Sequence, residues 1–176
     1  RVQAVIAELN GEKVDIVPNG VDTTIFKPME KDMQLLNELH LNGSFVVGYI
    51  GSIRKLEGLS LLLDAFQMIK QENHNIKLLI VGNGPERKAL QEKAQSLNLQ
   101  HIVFTGEIPH NEILKYYSII DFFVFPRINA KINQAVTPLK PLEAMAAGKV
   151  CLCSNVGGLT ELIKNDYNGI VFNIGD

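Results

Sequence analysis

The residues best suited to chemistry lie between Pro126 and Gly148. Pro126-Arg127-Ile128-Asn129-Ala130-Lys131 leads, past Gln134 and Ala135, to Thr137-Pro138-Leu139-Lys140-Pro141-Leu142-Glu143-Ala144-Met145-Ala146-Ala147-Gly148. Thr137 can cap a helix here, and either Pro138 or Pro141 suits its first turn. The opening N–H groups of such a helix lack partners within it, and its dipole favours an anion. Arg127, Lys131 and Lys140 add positive charge, and the chain carries no acid between Asp121 and Glu143. A diphosphate would need those features, although a solvated basic loop beside a capped helix has the same sequence. Glu143 can accept the hydrogens of two sugar hydroxyls, or serve only as an acid favoured in a first helical turn.

Two glycine turns are the next candidates. Gly48-Tyr49-Ile50-Gly51-Ser52-Ile53-Arg54 lets backbone approach a ligand, with Arg54 or Lys55 to offset its charge. Gly82-Asn83-Gly84-Pro85-Glu86 is a G-x-G turn that by itself can merely open a helix. No G-x-G-x-x-G follows an expected strand and no G-x-x-x-x-G-K-[ST] occurs, which disfavours dinucleotide and Walker-type sites. His110 can act as a base but more often such a loop histidine is solvated, and His40, His74 and His101 read as surface residues. No Ser/His/Asp or Cys/His nucleophile arrangement is visible. Cys151 and Cys153 fall two apart in an apolar run, as buried thiols do, with no partner pair nearby to complete a metal site. No metal is expected.

These residues need a frame that gathers loops at one edge, and the apolar pattern supplies it. Six short, nearly continuous apolar runs read as strands covered on both faces: Phe45–Ile50, Ile76–Val81, Ile102–Phe104, Phe122–Phe125, Val150–Cys153 and Ile170–Phe172. The gaps are too long for hairpins and carry helical stripes. Leu59, Leu62, Leu63, Phe66 and Ile69 form one stripe, and Leu90, Ala94 and Leu97 another. Asn111 can cap a third helix, Pro138–Ala147 is a fourth and Gly157–Lys164 a short fifth. Strand and helix alternate throughout, so the expected fold is α/β, a Rossmann-like doubly wound parallel sheet. Ligands of such sheets bind beyond the carboxyl ends of the strands, where all the candidates above fall. Residues 1–44 differ: a helical remnant over Arg1–Leu9, then Val14-Asp15-Ile16-Val17-Pro18-Asn19-Gly20-Val21-Asp22 and a polar stretch. They read as a connector from an upstream domain, with residues 45–176 as the binding domain.

Composition bounds the function. The chain has 176 residues, 46% of them apolar, with 17 basic and 19 acidic side chains, a net charge of −2. That balance holds no general attraction for nucleic acid or an anionic membrane. No apolar run approaches the roughly 18 residues of a membrane span, and no signal peptide is expected. A start at Arg1 without methionine, and an end just past a strand, read as a piece of a longer protein.

With these residues in view, the chain resembles the donor-binding, C-terminal half of a GT-B glycosyltransferase of the retaining "glycosyl transferases group 1" family. The resemblance rests on Val17–Asp22, Gly48–Ser52, Leu79–Pro85, Phe104–Pro109, Pro138–Gly148, Ser154–Glu161 and Asn168-Gly169, in that order. It implies a nucleotide-sugar donor, UDP- or GDP-linked, metal-independent hexose transfer with retention, and no cofactor. It places Gly51, Ser52, Asn83, Ile108, Leu139, Lys140 and Glu143 at the donor, with Glu143 on the ribose and Ile108 at the nucleobase. It further implies an acceptor-binding N-terminal domain as partner, a role in polysaccharide biosynthesis, and a cytoplasmic place at the inner face of the membrane. No nucleic-acid partner is implied.

The sequence departs from the family pattern at three positions. Ser52 and Glu57 stand where an arginine and a lysine usually meet the phosphates, so Arg127 and Lys140 are expected to supply that charge. Gln134 or Ala135 occupies the place of a first family glutamate, so Gln134 is the expected holder of the donor sugar. Arg127, Lys140 and Gln134 thus form the expected catalytic set. A reading of another class, a non-catalytic nucleotide-sugar-binding or interaction module, stays open at this point. An unrelated receiver or flavodoxin-like domain is disfavoured, because the first strand has no acidic cluster and no flavin-phosphate loop follows.

Overall fold

The computed structural model of the protein describes residues 17–72 and 75–174. The expected helix over Arg1–Leu9, the segment Val14-Asp15-Ile16 and His74 lie outside the described residues. The elements in chain order are α1 (Met33–Glu38), β1 (Phe45–Ile50), α2 (Leu59–Glu72), β2 (Ile76–Val81), α3 (Arg87–Ser96), β3 (Ile102–Gly106) and α4 (Ile113–Ile119). Then follow β4 (Phe122–Phe125), α5 (Lys131–Ala135), α6 (Lys140–Ala146), β5 (Val150–Ser154), α7 (Gly157–Thr160) and β6 (Ile170–Phe172). Single 3-10 turns, Lys55–Glu57 and His110–Glu112, lead into α2 and α4.

The strands pair in the order β3-β2-β1-β4-β5-β6, and every pair is parallel. This is the doubly wound α/β sheet expected. With the right-handed crossovers that are the rule for parallel β-α-β units, this strand order puts α2 and α3 on one face and α4, α6 and α7 on the other. Chain direction across the sheet reverses between β1 and β4, which opens a crevice beyond their carboxyl ends. The strand interiors are apolar on both sides for the reason anticipated: Val46, Leu78, Leu79, Ile80, Phe123, Cys151 and Cys153 have almost no exposed surface. The two thiols are therefore core residues, and burial raises Cys151 to about 12 and Cys153 to about 11.

Several local expectations change. β3 runs on to Gly106, whose pairing with Val81 follows a register shift after Ile80. Asn111 does not cap α4; it lies inside the 3-10 turn, and no side chain caps that helix. α7 ends at Thr160 instead of Lys164, and Asn168 takes up the backbone beyond it, its Oδ1 accepting from Lys164 N and its Nδ2 donating to Leu162 O. The polar stretch before β1 holds α1, capped by Asp32, whose Oδ1 accepts from Leu35 N at 2.9 Å. Leu35, Leu36 and Leu41 are buried with Phe26, whose ring meets Tyr117 edge-on at 5.4 Å. This part of the stretch read as connector is thus packed on the sheet domain. A helix of six residues with two adjacent leucines is too short to show a periodicity. Among the described residues no helix is long and apolar enough to cross a membrane.

Candidate functional site

The crevice predicted by the reversal of strand order is present as two adjoining hollows. The first, about 310 Å³, lies beyond β1, β2 and β3, among Gly51, Ser52, Asn83, Ile108, His110 and Lys140. The second, about 490 Å³, lies beyond β1 and β4, among Tyr49, Ser52, Glu57, Arg127, Leu139 and Lys140. Ile50, Gly51, Ser52 and Lys140 border both. Gly51, Ser52, Asn83, Ile108, Leu139, Lys140 and Arg127, separate in sequence, therefore share one cleft.

Backbone packing shapes its floor. Gly51 N donates to Val81 O at 3.0 Å, and Ile53 N to Asn83 O at 2.9 Å, so the turns after β1 and β2 hold each other. Gly82 has φ 132°, and a Cβ there would fall 1.9 Å from Gly51 O. Only a glycine lets the two turns come this close. Tyr49 Oη donates to Ser52 O at 2.9 Å from beneath. Burial, followed by the charge of Glu57, raises its pKa and keeps the hydroxyl protonated.

The cationic side chains are not free in the way the sequence implies. Arg127 meets Glu57 fork to fork, Nε to Oε2 at 3.0 Å and Nη2 to Oε1 at 3.2 Å. Its Nη1 donates to Val136 O at 3.3 Å. Ser154 Oγ, fully buried at the end of β5, donates to Arg127 O at 2.6 Å and fixes the backbone. Lys140 Nζ lies 2.9 Å from Glu143 Oε2, which also accepts from Tyr117 Oη at 2.5 Å. Both bonds fall on Oε2, so Oε1 is the atom placed to take a further donor. Thr137 does not cap α6; its hydroxyl donates to Glu161, and the N-cap of α6 is Leu139. The acid-free sequence around Arg127 is thus supplied with carboxylates from afar, Glu57 at Arg127 and Glu161 at Thr137.

Gln134 lies in the short helix α5 and, like Glu143, is not among the residues that line the two hollows, although Val136, two residues on, lines the second. Its Nε2 donates to Asn129 Oδ1 at 2.8 Å, and its Oε1 accepts from Gly157 N at 2.8 Å, tying α5 to the start of α7. Ala135 beside it is exposed, as is Lys131. Sequence reading missed the partners: Glu57 for Arg127, Tyr117 for Glu143, and Asn133. The last is 3% exposed and donates to both Leu56 O (2.8 Å) and Ile128 O (2.9 Å). Each contact joins residues far apart in sequence or depends on loop geometry, so no local motif announces it. Among the described residues no three His, Cys, Asp or Glu side chains converge into a metal-binding group.

Comparison with known proteins agrees with this architecture. An uncharacterized glycosyltransferase of Methanocaldococcus jannaschii is 32% identical over 90% of this chain and 40% of its own length. The lipopolysaccharide 1,2-N-acetylglucosaminetransferase of Salmonella typhimurium is 30% identical over 89% of this chain and 42% of its own. The chain thus spans less than half the length of these curated relatives. Among solved structures, the C-terminal domain of a group 1 glycosyl transferase from Francisella tularensis superposes with TM-score 0.74 at 27% identity, over 89% of this chain and 82% of that domain. Anabaena HepE, solved with UDP and glucose, superposes with TM-score 0.78 at 23% identity, over 92% of this chain and 44% of that one, a likeness of fold. The sheet is therefore the Rossmann-like half of a GT-B architecture. The profile of the family described as "Glycosyl transferases group 1" matches residues 32–176, and the chain belongs to that family.

Proposed function

We propose that this chain binds the nucleotide-sugar donor of a retaining, metal-independent hexosyltransferase and that the complete protein transfers the sugar to an acceptor. One observation carries the reading: the continuous cleft beyond β1–β4, walled by backbone turns and bordered by Lys140 on both sides. The nucleobase lies against Ile108 in the first hollow. The ribose hydroxyls donate to Glu143, oriented by Tyr117 and Lys140. The diphosphate crosses Gly51 and Ser52 toward Arg127 and Lys140, and the sugar occupies the second hollow.

In the transfer, the anomeric C–O bond to the phosphate breaks and the acceptor oxygen attacks the same face. The departing phosphate oxygen takes the acceptor's proton, so no protein base is required. Arg127 and Lys140 stabilise the charge that gathers on that phosphate, where preorganised cations act most strongly. Gln134, held by Asn129 and Gly157, orders the α5–α7 wall. The relatives' names extend to lipopolysaccharide and capsular polysaccharide enzymes, which supports an acceptor of that class for the complete protein.

Thermal unfolding with UDP-, GDP- and ADP-glucose, each in EDTA, tests the reading. A donor at a hundred times its dissociation constant stabilises by ~2.7 kcal/mol, a melting shift of roughly 5–10 °C. One base should give that shift and Glu143→Ala should abolish it. A shift that needs Mg²⁺ or Mn²⁺ would refute metal independence, and no shift with any donor would refute the site.

A further inference from the structure

Glu57 and Arg127 stand at 16% and 14% side-chain exposure, yet both line the hollow between β1 and β4. Withdrawing an ion pair from water at a cleft wall is costly, and apolar residues of the same volume are often no less stable there. The pair calls for a role that uses the charge. Its geometry indicates which. Glu57 takes one edge of the guanidinium, Nε and one hydrogen of Nη2, while Val136 O takes one hydrogen of Nη1. One hydrogen on each terminal nitrogen remains, and both can be donated to a phosphate.

The two loops that carry the pair are also fastened together. Ile128 N donates to Leu56 O at 3.1 Å, and Asn133 Nδ2 bridges Leu56 O and Ile128 O. Gly58, at φ 69°, lies so close to Pro126 that a Cβ would fall 1.9 Å from its carbonyl oxygen. Glu57 is anchored on a loop that cannot separate from Arg127 without breaking these contacts.

We infer that Glu57 is a positioning residue, which holds the Arg127 guanidinium so that its remaining N–H groups meet a phosphate of the nucleotide donor. This rests on the donor reading above, with Arg127 as the phosphate-facing group and Glu57 acting only through it.

The test is calorimetric titration of the full chain with UDP, GDP, ADP and the corresponding nucleosides, for the wild type, Glu57→Gln, Glu57→Asp, Arg127→Ala and the Glu57→Gln/Arg127→Ala double variant. Glu57→Gln should weaken the preferred diphosphate about tenfold, the middle of the range for neighbours in one network. Glu57→Asp, which keeps the charge with a shorter reach, should fall between and serves if Glu57→Gln does not fold. Nucleoside binding should not move, which separates positioning from general damage. In the Arg127→Ala background, Glu57→Gln should have no further effect. Tighter diphosphate binding by Glu57→Gln, unchanged binding, or an equal loss in both backgrounds would each overturn the inference while leaving the donor reading intact. A wild type that binds none of the diphosphates overturns both.

Discussion

Tyr117 has no exposed surface, and its hydroxyl is spent on one atom, Glu143 Oε2. Burial, followed by the Glu143 charge, raises its pKa, so it remains a hydrogen-bond donor throughout the working range. Its ring stacks on Phe123 at 5.2 Å, contacts that phenylalanine would keep. Tyr117→Phe should therefore report on the hydroxyl alone. The expected cost is about 1.5–3 kcal/mol, the range for a bond to a charged group, read as a lower urea midpoint at unchanged slope. Donor affinity should fall with it, because Glu143 then depends on Lys140 alone for its orientation. The role proposed for Glu143 is legible in the sequence from its place in the Pro138–Gly148 run. The tyrosine that aims it is not, because the two residues belong to different helices.

At the scale of elements, the turn after β2 is fixed by its neighbour as much as by its own sequence. Gly82 donates its N–H to Gly106 O at 2.8 Å and faces Gly51 O where a side chain would be. Gly82→Ala should cost more than about 2 kcal/mol, since neither the φ nor the space admits a methyl group. Gly20, with nothing within 4 Å of where a methyl group would sit, is the control. Gly20→Ala should stay within about 0.5 kcal/mol. Chemical unfolding of both variants checks the contrast, and equal effects would mean that the two turns can part. The strands are nearly all legible in the sequence, because both their faces are apolar. The short helices α1 and α5 are not, because one or two turns carry too few residues to define a face.

At the scale of the molecule, alkaline stability follows from what the core contains. Cys151, Cys153, Tyr49, Tyr116 and Tyr117 all have pKa values raised by burial. In the unfolded chain the thiols lose protons around 9.0, whereas in the native state they hold them to about 12 and about 11. The native state then binds more protons, so stability is full below the unfolded value and falls as pH rises above it. Lys149, lowered chiefly by burial, opposes this, but among the described residues it is a single base against five acids. Urea midpoints should thus hold steady to about pH 8 and drop by about pH 10. A flat profile would show that these groups reach water in the native state. Both thiols should also resist a disulfide reagent until the protein is unfolded.

Local pattern is enough to specify the alternation of strand and helix, the parallel sheet, and the end of it where ligands bind. Apolar runs between gaps long enough for a crossover, with glycines at strand ends, carry that much. The family is legible too, since the ordered motifs from Gly48 onward lie within the segment the family profile matches. The electrostatics of the cleft, by contrast, exist only in the folded chain. Arg127 reads as a cation of an acid-free stretch, but in space Glu57 lies on it. Gln134, expected at the donor sugar, has its amide bonded to Asn129 and Gly157, partners no local pattern announces. The reason is physical: a local pattern encodes which surface a residue must bury, whereas charge pairing depends on distance in space, and folding alone brings together residues such as Glu57 and Arg127, 70 positions apart.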